Sequence, residues 1–144
     1  MIDLVQESST SIPDTLLRKS WYARIVKCVH GSIPDWKKMD IAVVLVDEKR
    51  IRALNVSYRG IDRVTDVLSF LYDDEIPVHG ELYICVGQMI KQARRYGMSV
   101  QSEMERLVVH GVLHLQGYDH TKVQERKIMQ GLERVARATL KKLP

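Results

Sequence analysis

The stretch from Met104 to Leu115 is the strongest constraint on how this 144-residue chain can fold. Met104, Leu107, Val108, Val109, Val112, Leu113 and Leu115 are spread around a helix rather than along one stripe, and a helix that is apolar nearly all round has to lie inside its domain. That interior helix carries two histidines, His110 and His114. Residues four apart stand one above the other on a helix, so both imidazoles can aim at one point. Gly117 can take the left-handed conformation that ends a helix, and the turn would bring His120 round as a third nitrogen donor. Three protein nitrogens on a zinc-like ion leave a fourth position for water or substrate, which is the arrangement of a catalytic site rather than a structural one. A rigid central element also holds such ligands in fixed geometry.

The spacing of His110, His114 and His120 is that of the long metzincin-type zinc-protease motif. The glutamate that follows the first histidine in that motif is replaced here by Gly111, so the base that a peptidase of that kind uses is absent. A closed four-ligand zinc clip, completed by Asp119 or Cys85, is the alternative reading; neither residue has the spacing of a familiar closed site.

Length suits one domain with a proper core. Hydrophobic residues make up 45% of the chain, as in an ordinary soluble globular protein. The formal net charge of +4 makes the chain mildly basic and permits an anionic partner. No run approaches the length of a membrane span, and residues 1–5 have neither a basic start nor the apolar core of a signal peptide. The expectation is a cytoplasmic protein with no membrane partner. Cys28 and Cys85 are the only cysteines, too few for a disulfide framework, and read as buried reduced thiols.

Along the chain, the pattern is mixed. Ile2 and Leu4 alternate with polar neighbours and suggest a short strand. Pro13-Asp14 suits the first turn of a helix whose inner face is Leu17, Trp21, Ile25 and Cys28, ending near Gly31 with His30 as a solvated or capping residue. The unbroken apolar run Ile41 to Val46 reads as a buried strand. Asp47 can cap a helix carrying Ile51 and Leu54 inward. Residues 67–71 and 82–86 read as strands separated by an acidic loop over 72–80. Helices are expected over residues 88–96, from Ser99 or Ser102 onward (Ser102 with Glu105 has the form of a capping box), and over about 122–141. The last is expected to turn Ile128, Leu132, Val135 and Leu140 inward. Its basic residues Arg126, Lys127, Arg134, Arg137, Lys141 and Lys142 read most simply as a solvated face, with nucleic-acid contact as the alternative.

A polar loop between the second helix and the third strand carries further chemistry. Arg59 can hold a phosphate through its planar fork of donors, and Asp66 can bond the outer nitrogen of a metal-bound histidine. A plain surface arginine and a turn-capping aspartate are the alternatives.

These segments together resemble the YbeY family of metal-dependent endoribonucleases and rRNA maturation factors. The resemblance rests on His110-Gly111-Val112-Leu113-His114-Leu115-Gln116-Gly117-Tyr118-Asp119-His120. It rests further on Leu54-Asn55, Tyr58-Arg59, Thr65-Asp66-Val67-Leu68-Ser69-Phe70 and Gly80-Glu81-Leu82-Tyr83-Ile84. It extends from about residue 40 to 133. Val64 and Leu71 stand where the family usually has proline.

What the resemblance implies is a single compact α+β domain over residues 1–144, with a small mixed four-stranded sheet, about five helices and a metal cleft on the central helix. It implies a zinc-dependent endoribonuclease that hydrolyses single-stranded RNA in late ribosome quality control and in maturation of the 3′ end of small-subunit rRNA. Ribosomes or ribosome-assembly factors are the implied partners. His110, His114 and His120 become ligands to one Zn2+ per chain, for which other divalent ions can substitute, and Arg59 and His114 become the catalytic pair. Without the motif glutamate, proton removal falls to a metal-held hydroxide, to Asp119 or to the RNA's own 2′-hydroxyl, and these stay open. Two rival functions use the same residues: a metal-dependent peptidase or amidase, and a non-catalytic, zinc-stabilised ribosome-assembly factor.

Overall fold

The computed structural model describes residues 1–73, 75–119 and 121–143. Its four strands are β1 (Ile2–Gln6), β2 (Met39–Val46), β3 (Val67–Leu71) and β4 (Val78–Cys85). They form one sheet in the order β1-β2-β4-β3. The pairs β1·β2 and β2·β4 are parallel and β3·β4 is antiparallel, so the sheet is mixed and β3 is an edge strand. Five α-helices accompany it among the described residues: α1 (Lys19–Ser32), α2 (Glu48–Arg59), α3 (Val86–Arg95), α4 (Val100–Leu115) and α5 (Val123–Lys142).

The run Ile41 to Val46 is continuously apolar because β2 is covered on both sides. Ile41, Val43 and Leu45 enter the main core beneath α1, α4 and α5, while Val44 and Val46 pack with Ile51 and Leu54 of α2 on the opposite side. Strand β4 starts earlier than expected, because Val78 to Glu81 pair with Met39 to Ala42. Gly80 therefore lies in a strand and not in a loop.

As expected, α4 runs through the main core. It lies close to the sheet because small residues meet it there: a Cβ on Gly111 would stand 2.7 Å from Leu82 Cδ2, and one on Gly80 would stand 2.8 Å from Leu115 Cδ2. Leu82 is fully buried and cannot swing aside. This explains Gly111: the position after the first histidine faces the sheet, and a glutamate there would be driven into the core.

Several local expectations need correction. The first helix is preceded by a separate 3-10 turn (Asp14–Leu17), and its inner face is Tyr22, Ile25, Cys28 and Val29, with Leu17 exposed. His30 in the last turn of that helix is solvent-exposed as expected, and stacks on Trp36 at 4.8 Å. Asp47 sits at the N-cap of α2 without bonding the helix, since its carboxylate accepts from Ser8 Oγ at 2.5 Å and the Ser9 N–H at 3.3 Å. Ser99, and not Ser102, caps α4 by accepting from the Ser102 N–H at 3.0 Å. Glu105 is engaged with Arg137 at 3.2 Å instead of closing a capping box. In α5, Leu132 and Leu140 pack against the core as expected, but Met129 and Ala136 are the buried residues beside them, whereas Ile128 and Val135 are exposed. Both stripes have helical spacing, and the smaller Ala136 permits the close approach to α1 and α4 that α5 makes. Cys28 and Cys85 are buried free thiols, with burial pushing both pKa values up.

Candidate functional site

Helix α4 ends in a Schellman turn. Gly117 has φ +97°, its N–H donates to the His114 carbonyl at 3.0 Å, and the Tyr118 N–H donates to the Leu113 carbonyl at 3.0 Å. This left-handed glycine is the turn the sequence required. Gln116 then pins the turn to the chain entering β2. Its amide accepts from the Lys37 N–H and donates to the Lys37 carbonyl, each at 2.9 Å. Buried and paired on both sides of its amide, Gln116 fixes where the following residues begin; periodicity gives no sign of this.

His110 and His114 converge as their spacing demands. Their Nε2 atoms lie 3.1 Å apart. A tetrahedral ion with bonds of about 2.0–2.1 Å places neighbouring nitrogens about 3.3–3.4 Å apart, so this pair fits such an ion with a shift of a few tenths of an ångström. Among the described residues no set of three potential ligands converges; His120, the expected third ligand, lies outside the described residues.

The outer nitrogen of His110 is held by a residue that the sequence reading missed. Glu133 on α5 accepts from His110 Nδ1 at 2.8 Å, with both side chains mostly buried. A proton on Nδ1 leaves the lone pair on Nε2, the atom that faces His114. Glu133 stands four residues after buried Met129 and three before buried Ala136. An acidic residue on the inward stripe was therefore the signal, hidden by choosing the neighbouring stripe.

Asp66 has other partners. Its carboxylate accepts from the Val67 N–H at 2.8 Å and from Gln92 Nε2 at 3.2 Å, and lies 3.6 Å from Arg106. Gln92 also donates to Glu103 at 2.6 Å, and Arg106 grips Glu103 through two bonds of 2.7 and 2.8 Å. Burial pushes the Glu103 carboxyl up, but the bonds from Arg106 and Gln92 outweigh it and hold the group below the usual glutamate range. Asp66 thus ties β3 to α3 and α4, while the carboxylate on the His110 ring is Glu133.

Arg59 is the last residue of α2, stopped by Gly60 at φ +67°. It is exposed and forms no ion pair with any described residue. Together with Asp66, His110, His114, Asp119 and Thr121 it lines one open cavity of about 600 Å3. Asp119 accepts from the Thr121 N–H at 3.2 Å and from its hydroxyl at 2.9 Å. The structure therefore brings Arg59, Asp66, Asp119 and two histidines to one cleft. Of the basic residues on α5, Arg137 is not part of a solvated face: it bonds Glu105 and, at 3.2 Å, the Ser102 hydroxyl, tying α5 to α4.

No helix among the described residues is long and apolar enough to cross a membrane. The family model described as Endoribonuclease YbeY matches residues 4–141. Among curated relatives, the Endoribonuclease YbeY of Ureaplasma urealyticum serovar 10 is 50% identical over 91 residues, covering 61% of this chain and 59% of its own. That of Heliobacterium modesticaldum is 35% identical over 146 aligned positions, covering 89% and 87%. The match spans about three fifths of the length of the Ureaplasma relatives. The solution structure of TM1509 from Thermotoga maritima superposes with a TM-score of 0.62 at 28% identity, over 98% of this chain and 92% of that one. Shared fold and a match over nearly the whole chain agree with the histidine run and the Arg59 loop: the chain belongs to the YbeY family.

Proposed function

We propose that this protein is a metal-dependent endoribonuclease that cuts single-stranded RNA, with small-subunit rRNA as its substrate during ribosome maturation. The observation that carries the reading is the convergence of His110 and His114 at 3.1 Å across one cavity from Arg59. The names of the relatives support the reaction class. Zinc, one per chain, is the ion that this nitrogen pair suits, with His120 as the further ligand; when bound it supplies positive charge to polarise a phosphoryl oxygen and acidify a water.

The protein's own groups do the rest. Glu133 keeps the proton of His110 on Nδ1, so that Nε2 is free to donate its lone pair. Arg59 faces the same cavity with five N–H donors and binds the phosphate as its charge grows in the transition state. Asp119, which accepts from Thr121 and lines the cleft beside the histidines, takes the proton in this reading, in place of the motif glutamate that Gly111 excludes. A duplex keeps its bases paired and stacked inside the A-form helix, so a single strand, whose backbone can bend into the cleft, is the favoured substrate. A cytoplasmic site of action and ribosome-assembly factors as partners follow from that substrate.

The decisive comparison uses wild-type and His114→Ala proteins purified in parallel, with a chelated wild-type control, on the same single-stranded and duplex RNA. Cleavage of the single strand is expected from the metal-loaded wild type alone. Equal cutting of perfect duplex would contradict the cleft, and equal cutting by folded His114→Ala protein would contradict the histidine site. Persistent RNA binding without any cleavage would favour a non-catalytic assembly factor.

A further inference from the structure

On the other side of the sheet from the histidines lies a second cavity, of about 230 Å3, lined by Tyr58 of α2, Phe70 of β3, Tyr83 of β4, Tyr72 and Arg50 among others. Four of the chain's nine aromatic residues (two tryptophans, six tyrosines, one phenylalanine) meet there. Tyr58 and Phe70 have ring centroids 4.7 Å apart, and Phe70 and Tyr83 5.5 Å apart. An aromatic cluster that serves only to close a core buries its rings, as Tyr22 does at 0% exposure. Here Tyr58 is 67% exposed and Tyr72 61%. Two large π faces stand in water on a fixed aromatic base, and a surface of that kind marks a binding site.

The cavity lies back to back with the cleft across alternating residues. Tyr58 lines the aromatic cavity and its neighbour Arg59 lines the cleft; Phe70 lines the aromatic cavity and its neighbours Ser69 and Leu71 line the cleft. Because β3 is the edge of the sheet, only the width of one strand and the end of α2 separates the two. A flexible chain leaving the cleft past Arg59 has only to round that edge to reach the tyrosine faces.

Local charge selects what can sit there. Arg50 is at the rim, 3.6 Å from Glu7. Glu81 accepts the Tyr72 hydroxyl, which fixes that ring and pushes the Tyr72 pKa up to about 12. Asp73 lies beyond, 3.4 Å from His79. Carboxylates this close disfavour a phosphate within the cavity, whereas a neutral heteroaromatic ring meets ring faces, with its phosphates left to Arg59 and Arg50.

We propose that this aromatic cavity is a nucleobase-stacking subsite, holding one unpaired base of the RNA strand whose backbone crosses the histidine cleft. The inference rests on the RNA reading above and adds how the strand is gripped and why it has to be unpaired at that point. Its test is fluorescence anisotropy with a short end-labelled single-stranded RNA, in chelator so that the strand stays intact. Tyr58→Ala and Tyr72→Ala are each expected to weaken binding about tenfold, the scale of one lost base–aromatic stack. Tyr58→Trp should keep the affinity, Tyr58→Leu should not, and Tyr96→Ala, at an exposed tyrosine that lines neither cavity, should bind as the wild type does. An oligonucleotide carrying one abasic position at the stacked base should bind the wild type as weakly as the intact strand binds Tyr58→Ala, with no further loss when both changes are combined. Wild-type affinity in folded Tyr58→Ala and Tyr72→Ala proteins would overturn the subsite alone, as would capture of an aromatic peptide that leaves RNA binding unaffected. A wild-type protein that binds no RNA would overturn both the subsite and the reading on which it rests.

Discussion

Near the start of α4, Glu103 meets Arg106, Gln92 and, through them, Asp66; two turns later on the same helix, His110 meets His114 and Glu133. Both clusters are polar groups set into a mostly apolar helix, and they are composed differently. In the first, each carboxylate faces a guanidinium or an amide, so the charges and hydrogen-bonding groups balance within the protein. In the second, two ring nitrogens that can each present a lone pair point at one another, with a carboxylate behind one of them. A buried polar cluster that balances internally holds a structure together. On the function proposed above, one that sets two imidazole nitrogens side by side would take a cation from outside.

Substitution can break this contrast most sharply at the second cluster. Loaded wild-type protein is expected to hold about one zinc-like ion per chain, and His114→Ala to lose several kcal/mol of metal affinity, as a coupled site missing a ligand does. Elemental analysis after dialysis reads both; equal metal in the two proteins would remove the histidines from the site. Arg59→Ala comes next. It should keep fold and metal while cleaving RNA about two to three powers of ten more slowly, the loss expected for one transition-state donor. Arg59→Lys should recover little because an ammonium lacks the fork. Near-normal rates in zinc-loaded Arg59→Ala protein would make Arg59 an ordinary surface residue.

At the first cluster the expected change is in stability and not in metal. Glu103→Ala leaves a half-buried Arg106 without its main acceptor and should cost about 2–3 kcal/mol, toward the lower end for a broken pair because Arg106 is partly solvated. Chemical denaturation measures it, and an unchanged midpoint would show the network to be idle. Glu133→Ala sharpens the distinction, since it should lower metal affinity about ten- to a hundredfold, with Glu133→Gln restoring most of it by keeping an acceptor on Nδ1. Competition with a chelating dye is the readout; equal affinity for both variants and the wild type would leave Glu133 with a packing role only. The smallest effect concerns acid. The Glu103 pKa is lowered in the folded protein, so its contribution is complete above the unfolded value of about 4.3 and is lost as pH falls below it through the folded value. Glu103→Gln should flatten that acid limb in pH-dependent unfolding.

Much of the site was legible because it is local. The i, i+4 histidines, the glycine that ends their helix and the apolar residues that bury it are set by helix geometry within a dozen residues; Arg59 was readable as a phosphate-binding candidate of a polar loop, whereas the structure makes it the last residue of α2. The strands β2 and β3 were legible for the same reason, their runs being short and continuous. Less visible was the inward stripe of α5, where two helical registers compete and only the neighbours decide. With that stripe went Glu133, whose partner is 23 residues away, and the reassignment of Arg137 from solvent to Glu105.

The amino-acid order by itself determined that a buried helix would present two imidazoles at one point, that the chain would turn at Gly117, and that an arginine would stand in the polar stretch between the second helix and the third strand. Backbone periodicity and the conformational freedom of glycine suffice for these. Tertiary structure alone decided which carboxylate stands behind His110, why Gly111 has no side chain, where Gln116 anchors the turn, and that Tyr58, Phe70, Tyr72 and Tyr83 share one cavity beside the cleft. Each of these depends on groups far apart in the chain meeting within a few ångströms, and only the packing of sheet against helices determines which groups those are.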